Sequence, residues 1–174
     1  MTSGMDPELF EQFIEQLHRY VRERLIPAER EIIESDQIPE AIVQEMRDMG
    51  LFGLTMPEEY GGAGLGISAA SAVLEEIHKA GCNAAACHAQ MYIMGTVLRH
   101  GSKEQKERYL PKIATGELRL QAFGVTEPSS GTDTLSLRTT AVKKDNSTYV
   151  VNGQKVWTSR AEHSDLMLLL ARTT

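Results

Sequence analysis

Two short stretches of this chain carry residue types whose spacing could do chemistry. The first, Gln-Ala-Phe-Gly-Val-Thr-Glu-Pro-Ser-Ser-Gly-Thr-Asp, runs from Gln121 to Asp133. It reads as an extended run from Leu120 to Thr126, stopped at Glu127-Pro128 because proline fixes its own φ and biases the residue before it away from the helical region. In the loop that follows, Ser129-Ser130-Gly131-Thr132-Asp133, the backbone can approach a ligand closely at Gly131, and N–H groups and hydroxyls can converge on an anion. A strand feeding such a loop suits a phosphate-bearing cofactor, although the same composition also serves plain turn chemistry. The second stretch, Val150 to Ser159, reads as a strand ending in the only tryptophan, Trp157, with the hydroxyls of Thr158 and Ser159 behind it.

The elements that must position these stretches change character along the chain. Asp6-Pro7 is a helix start, a capping side chain followed by proline where its missing N–H costs nothing. Leu9, Phe10, Phe13, Ile14, Leu17, Val21 and Leu25 then recur at threes and fours as one apolar stripe, which Pro27 interrupts or kinks. The run Glu29 to Glu34 continues helical, with Ile32 and Ile33 packed inward. Pro39 opens the next helix, with Ile42, Val43, Met46 and Met49 on its buried face and Gly50 ending it in the left-handed conformation. Leu51 to Gly62 is too rich in glycine and proline for regular structure. Ser68 can cap a helix to Lys79 that buries Val73, Leu74 and Ile77.

A further helix, from about Asn83 to His100, packs Met91, Met94, Val97 and Leu98 before Gly101 stops it. Ser102 and Gln105 form a capping box for the helix through Leu110, which Pro111 bends or restarts. From Leu120 the spacing changes to alternation, and that change marks a domain boundary between 1–119 and 120–174. Leu137 to Lys143 and Thr148 to Val151 flank the turn residues Lys144-Asp145-Asn146-Ser147 as a β-hairpin, and Leu166 to Ala171 reads as a buried strand. The fold class expected is α+β: an all-α N-terminal helical domain followed by a β domain with too few strands to close a barrel.

Composition narrows the function classes. A hydrophobic content of 41% in 174 residues and a mean hydropathy of -0.28 describe an ordinary globular chain. The net charge of -6 offers no basic footprint for nucleic acid. No signal or transit-like stretch opens the chain, and the longest apolar run, Leu166 to Ala171, is too short to span a bilayer. The expectation is a cytoplasmic protein with no membrane role, or a mitochondrial matrix protein only if a transit peptide has been removed. Cys82 and Cys87 read as free thiols in a reducing compartment. With His78 and His88 nearby they match no standard ligand spacing, so no metal site is expected.

Val-Thr-Glu-Pro-x-x-Gly-Thr-Asp, followed after the hairpin by Asn-Gly-x-Lys-x-Trp-Thr-Ser, resembles the middle domain of the acyl-CoA dehydrogenase family, whose members are FAD flavoenzymes. The loop Gly53-Leu54-Thr55-Met56-Pro57-Glu58-Glu59-Tyr60-Gly61-Gly62 is similar to a segment of the same family and supports the fold more than the chemistry. The resemblance runs from about residue 5 to the last residue, yet covers less than half of a family member. Known members have a helical domain, a β-barrel domain and a C-terminal helical bundle that builds a tetramer. The chain therefore looks truncated, and alone it is expected to be inactive.

The resemblance implies an enzyme that oxidises the α,β carbons of an acyl-CoA thioester with FAD and hands electrons to an electron-transfer flavoprotein. It places Phe123, Val125 and Thr126 against the flavin ring, Gly131 and Thr132 at the pyrophosphate, and Trp157 over the ring's other side. Ser159 is to hydrogen-bond toward the flavin N5, Thr158-Ser159 standing where Ile-Thr is common, so that either hydroxyl can serve. Thr132 also matches a position that touches the pantetheine of CoA. The α-proton is removed in the family by a glutamate on a later part of the chain, so no catalytic base is expected here; Glu127 matches a structural glutamate instead. Phe123 stands for a tyrosine and Arg160 for a common asparagine, which leaves the substrate open. Flavin monooxygenases and acyl-CoA oxidases share the fold and are the alternatives within it. A non-catalytic helical interaction module is the alternative outside it.

Overall fold

The computed structural model describes residues 6–173, and the chain divides after Leu118 into two compact units. Residues 1–5, on which part of the reading of the N-terminus rests, lie outside the described residues. The first unit is helical: α1 (Pro7–Tyr20), α2 (Ile26–Ser35), α3 (Glu40–Asp48), α4 (Ile67–Lys79), α5 (Ala85–His100) and α6 (Lys103–Ala114). Asp6 caps α1 as expected, its Oδ1 accepting from the N–H groups of Glu8 and Leu9 at 2.9 and 3.4 Å. Pro27 does not break the rod. Its missing N–H is absorbed by a five-residue π segment, Val21–Leu25, closed by the Ile26 N–H donating to the Val21 carbonyl.

The core is built from one stripe per helix together with the connection between α3 and α4. Leu17, Val21 and Leu25 meet Ile42, Val43 and Met46, with Ala69, Val73 and Ile77 of α4. Two expected inward residues face out: Ile33 is 72% exposed and Leu9 57%. Each sits about 100° around its helix from a packed neighbour, Ile32 and Phe10, and a single-sided helix has no room for both. The connection from Leu51 to Leu65, largely turns, places Leu51, Phe52, Leu54 and Met56 in the core. It folds back on itself at Gly62, where an added Cβ would lie 2.1 Å from the Met56 carbonyl oxygen.

Helix starts divide between expectation and correction. Ser102 and Gln105 do form the capping box, with the Ser102 N–H donating to Gln105 Oε1 at 2.8 Å and the Gln105 N–H to Ser102 Oγ at 3.2 Å. Pro111 lies inside α6, which runs on to Ala114. Ser68 does not cap α4: the helix begins at Ile67 with Gly66 as its cap and no side-chain cap bond.

The second unit holds four strands, β1 (Leu120–Gly124), β2 (Thr140–Lys143), β3 (Tyr149–Asn152) and β4 (Leu166–Leu169). β1 pairs parallel with β4, and β2 pairs antiparallel with β3 around the expected hairpin turn. The two pairs touch where Ala141 N–H donates to the Arg172 carbonyl at 2.7 Å and Arg172 N–H to the Thr139 carbonyl at 2.9 Å. Among the described residues these two-stranded sheets close no barrel. β4 is not buried as read: Met167 and Leu169 alternate outward, and Leu170 beyond the strand is also exposed. The segment after β3 is not strand either, since Gly153 to Thr158 leaves the ladder. Among the described residues no helix is long and apolar enough to cross a membrane.

Candidate functional site

The site is organised by two charges, each alone in an uncharged stretch. Glu127 is the only charge between Arg119 and Asp133, and Lys155 the only one between Tyr149 and Trp157. They pair: Lys155 Nζ donates to Glu127 Oε1 at 2.9 Å, with both side chains almost fully buried, and to the Val125 carbonyl, also at 2.9 Å. The Val156 N–H adds a bond to the Thr126 carbonyl at 2.9 Å. Backbone beyond the hairpin is thereby held alongside Val125-Thr126, bringing the two chemistry-bearing stretches together.

Glu127 is occupied on all sides. Its oxygens also accept from the backbone N–H groups of Arg138 at 2.6 Å and Thr139 at 2.9 Å. The side chain of Thr139, the Arg138 N–H and Lys155 outweigh burial and hold the carboxyl well down, at about 2. The Thr139 hydroxyl is the largest influence on it, although its geometry falls short of a full hydrogen bond. A carboxylate so engaged is held in its ionised form by the backbone and the lysine around it. Its own turn is clamped by reciprocal bonds between the backbones of Glu127 and Ser130, with Pro128 at the corner.

Around this anchor the candidate residues are set as follows. Phe123 is 36% exposed on β1, paired in register with Leu168, while Val125 and Thr126 are half-buried. Gly131 lies in the open, with φ outside the left-handed region and only Thr126 Cγ2, at 3.6 Å, near the place of an added Cβ. The fold therefore makes no steric demand for glycine there, and the bare backbone is available to a ligand. Ser130 Oγ donates to the Asp133 carbonyl and Ser136 Oγ to Asp133 Oδ2, so these hydroxyls serve the loop itself. Thr132 is exposed, its carbonyl accepting from the Thr134 N–H at 3.0 Å. No hydrogen bond links it to the Trp157–Ser159 turn among the described residues.

Trp157 is 88% exposed and has φ of 60°, and Arg160 three residues on has φ of 59°. Left-handed backbone at a bulky aromatic costs of order 1–3 kcal/mol and persists only where the surroundings impose it, commonly at ligand clamps. Here Val156 and Lys155 impose it from one side, and the Ser164 Oγ bond to the Arg160 carbonyl at 2.8 Å from the other. Thr158 is half-buried and Ser159 exposed. An exposed indole on a left-handed turn, two hydroxyls and an open glycine loop suit a large planar ligand with an anionic arm, so the residues present fit FAD.

Lys155, which the sequence offers only as one position of the Asn-Gly-x-Lys-x-Trp motif, fixes the geometry, and its isolation as a charge is the signal that singles it out. Elsewhere, Cys82 and Cys87 are free and buried, and burial pushes the Cys87 thiol up to about 12. His78 and His88 meet edge to face at 6.1 Å between ring centroids, and among the described residues no three His, Cys, Asp or Glu side chains group around a metal position.

Comparison with known proteins gives these observations a frame. Residues 7–117 match the family model "Acyl-CoA dehydrogenase, N-terminal domain" and residues 122–174 "Acyl-CoA dehydrogenase, middle domain". The chain is 40% identical to (2S)-methylsuccinyl-CoA dehydrogenase of Cereibacter sphaeroides over 99% of its own length and 31% of that protein's. It is 36% identical to the mitochondrial isovaleryl-CoA dehydrogenase of Oryza sativa subsp. japonica, over 94% of the chain and 40% of the relative. A glutaryl-CoA dehydrogenase from Mycobacterium smegmatis, solved in complex with FADH2, superposes with a TM-score of 0.79 at 26% identity, covering 98% of this chain and 44% of that one. The chain thus spans between about a third and less than half the length of these relatives. With both of its units matched in order, the chain belongs to the acyl-CoA dehydrogenase family.

Proposed function

We propose that this chain contributes the flavin-binding part of an FAD-dependent enzyme that dehydrogenates the α,β carbons of an acyl-CoA thioester. The observation that carries this reading is the Lys155–Glu127 anchor, which brings Val125-Thr126 beside a strained turn presenting Trp157. Bound FAD supplies the hydride acceptor. Phe123, Val125, Thr126, Trp157, Thr158 and Ser159 would hold its ring, and Gly131 and Thr132 its pyrophosphate, with Thr132 also meeting the pantetheine of CoA. Exposed Trp157 would gain burial against the ring and exclude water from that side. Glu127, held ionised and fully engaged, is too weak a base for the α-proton, and the family resemblance implies a glutamate on a later part of the full-length protein for that role. The domains of this reading are 1–119 and 120–174, with the proposed cofactor contacts all in the second.

The family resemblance implies an electron-transfer flavoprotein as the acceptor and a homotetramer as the assembly, and the free, buried thiols of Cys82 and Cys87 suit a reducing compartment such as the cytoplasm. The test is anaerobic addition of acyl-CoA thioesters to the FAD-loaded full-length protein. Bleaching of the flavin is expected with at least one acyl-CoA. No bleaching by any acyl-CoA, with rapid oxygen consumption once a flavin reductase is supplied, would instead favour the monooxygenase reading.

A further inference from the structure

The residue that follows the proposed ring-facing turn is a cation without an anion. Arg160 is half-buried, and its Nε and Nη2 both donate to one neutral atom, Gln121 Oε1, at 3.2 Å each. Gln121, 1% exposed on β1 two residues before Phe123, holds that oxygen in place. No carboxylate pairs with the Arg160 guanidinium among the described residues. The contrast lies in the same unit, where the buried Lys155 has Glu127 at 2.9 Å. A guanidinium drawn out of water is stable only when its charge or most of its five N–H donors are met, and one amide oxygen meets two of them. The backbone reinforces the placement, since the turn from Trp157 to Arg160 is left-handed at both ends.

We propose that Arg160, aimed by Gln121, binds a planar delocalised anion presented by the ligand of this site. Burial and the nearby charge of Arg119 both weigh against its positive form, so an anion there relieves two unfavourable effects together. The planar fork matches a flat two-oxygen or oxygen–nitrogen edge, which a lysine ammonium does not. The inference rests on the flavin reading above, under which two groups have this chemistry: the reduced flavin ring, and a carboxylate carried on the acyl chain of the substrate. Neither needs any further component.

The test uses the full-length protein with its FAD and the variants Arg160→Gln and Arg160→Lys, each checked for cooperative melting and bound flavin. The readouts are the flavin midpoint potential and the affinity for non-oxidisable dicarboxylic and monocarboxylic acyl-CoA analogues of equal length. If the flavin is the anion, Arg160→Gln lowers the potential by about 30 mV, a tenfold loss of preference for the reduced form in a two-electron couple. Both analogues then bind as before. If the substrate carries the anion, the potential stays and affinity for the dicarboxylic analogue alone falls about tenfold. Arg160→Lys, which keeps the charge without the fork, changes the same readout less, and it carries the test should Arg160→Gln not fold. Flavin-loaded variants that move neither readout overturn the proposal alone. A wild-type protein that takes up no flavin overturns the functional reading and this inference with it.

Discussion

Glu127 and Lys155 are the residues on which the site's geometry depends, and their removal has a sign that physics fixes. Lys155→Met leaves a buried carboxylate with no counter-charge, so it should destabilise the β unit more than the double variant Glu127→Gln/Lys155→Met, which removes both charges. Urea melts of the three proteins decide this; a single variant as stable as the double would show that the pair is not coupled. The pH dependence follows from the same contacts. The Glu127 carboxyl is lowered from 4.5 to about 2 in the folded protein, so its stabilisation is complete above the unfolded value and is lost as pH falls through the folded one. Stability of wild type should therefore drop between about pH 5 and pH 2, and that part of the drop should vanish in the double variant. Gly131→Ala makes the opposite kind of statement. With only Thr126 Cγ2 near the new methyl, at 3.6 Å, melting of the apoprotein should shift little, while FAD affinity falls about tenfold, an expected loss of roughly 1.4 kcal/mol.

Among the elements, the helix starts separate what could be read from what could not. The capping box at Ser102 was legible because both partners lie within three residues of each other, and Ser102→Ala should cost about 1 kcal/mol. Ser68 carried the same residue type in a similar setting, yet α4 is capped two residues earlier, at Gly66, so Ser68→Ala should be neutral within about 0.5 kcal/mol. Chemical denaturation of both variants tests the pair. The π segment before Pro27 and the buried fate of Leu51, Phe52, Leu54 and Met56 were not legible. The first depends on how a long helix re-threads its hydrogen bonds around proline, and the second on packing by residues distant in sequence. The two chemistry-bearing stretches stood out because small residues, a proline and a lone tryptophan leave few alternatives. The Arg160–Gln121 contact was not, since it joins residues 39 apart across strands with no periodic signal. Leu166 to Ala171 was misread for a related reason. A run of apolar residues looks the same whether both faces of a strand are covered or only one.

The whole chain is a helical unit with a continuous core and a β unit whose strands leave open edges and exposed apolar residues, among them Val142, Tyr149, Val151, Met167 and Leu169. Unpaired edges of this kind favour association, and a site supported by two small sheets is loosely held. The isolated 174-residue chain is therefore expected to take up FAD weakly or not at all, and to show no dehydrogenase turnover. Stoichiometric yellow protein from that chain alone would contradict this. The central claim is that the Trp157 turn closes on a flavin, and fluorescence reads it most directly. Trp157 is the chain's only tryptophan and is 88% exposed, so the apoprotein's emission from it should be that of a solvated indole. In the full-length protein that emission is isolated as the difference from Trp157→Phe. Titration with FAD should quench it and shift what remains to shorter wavelength, saturating at one flavin per chain, with a weaker end point in Gly131→Ala. Flavin bound at that stoichiometry while the Trp157 emission stays bright and solvent-like would contradict the account.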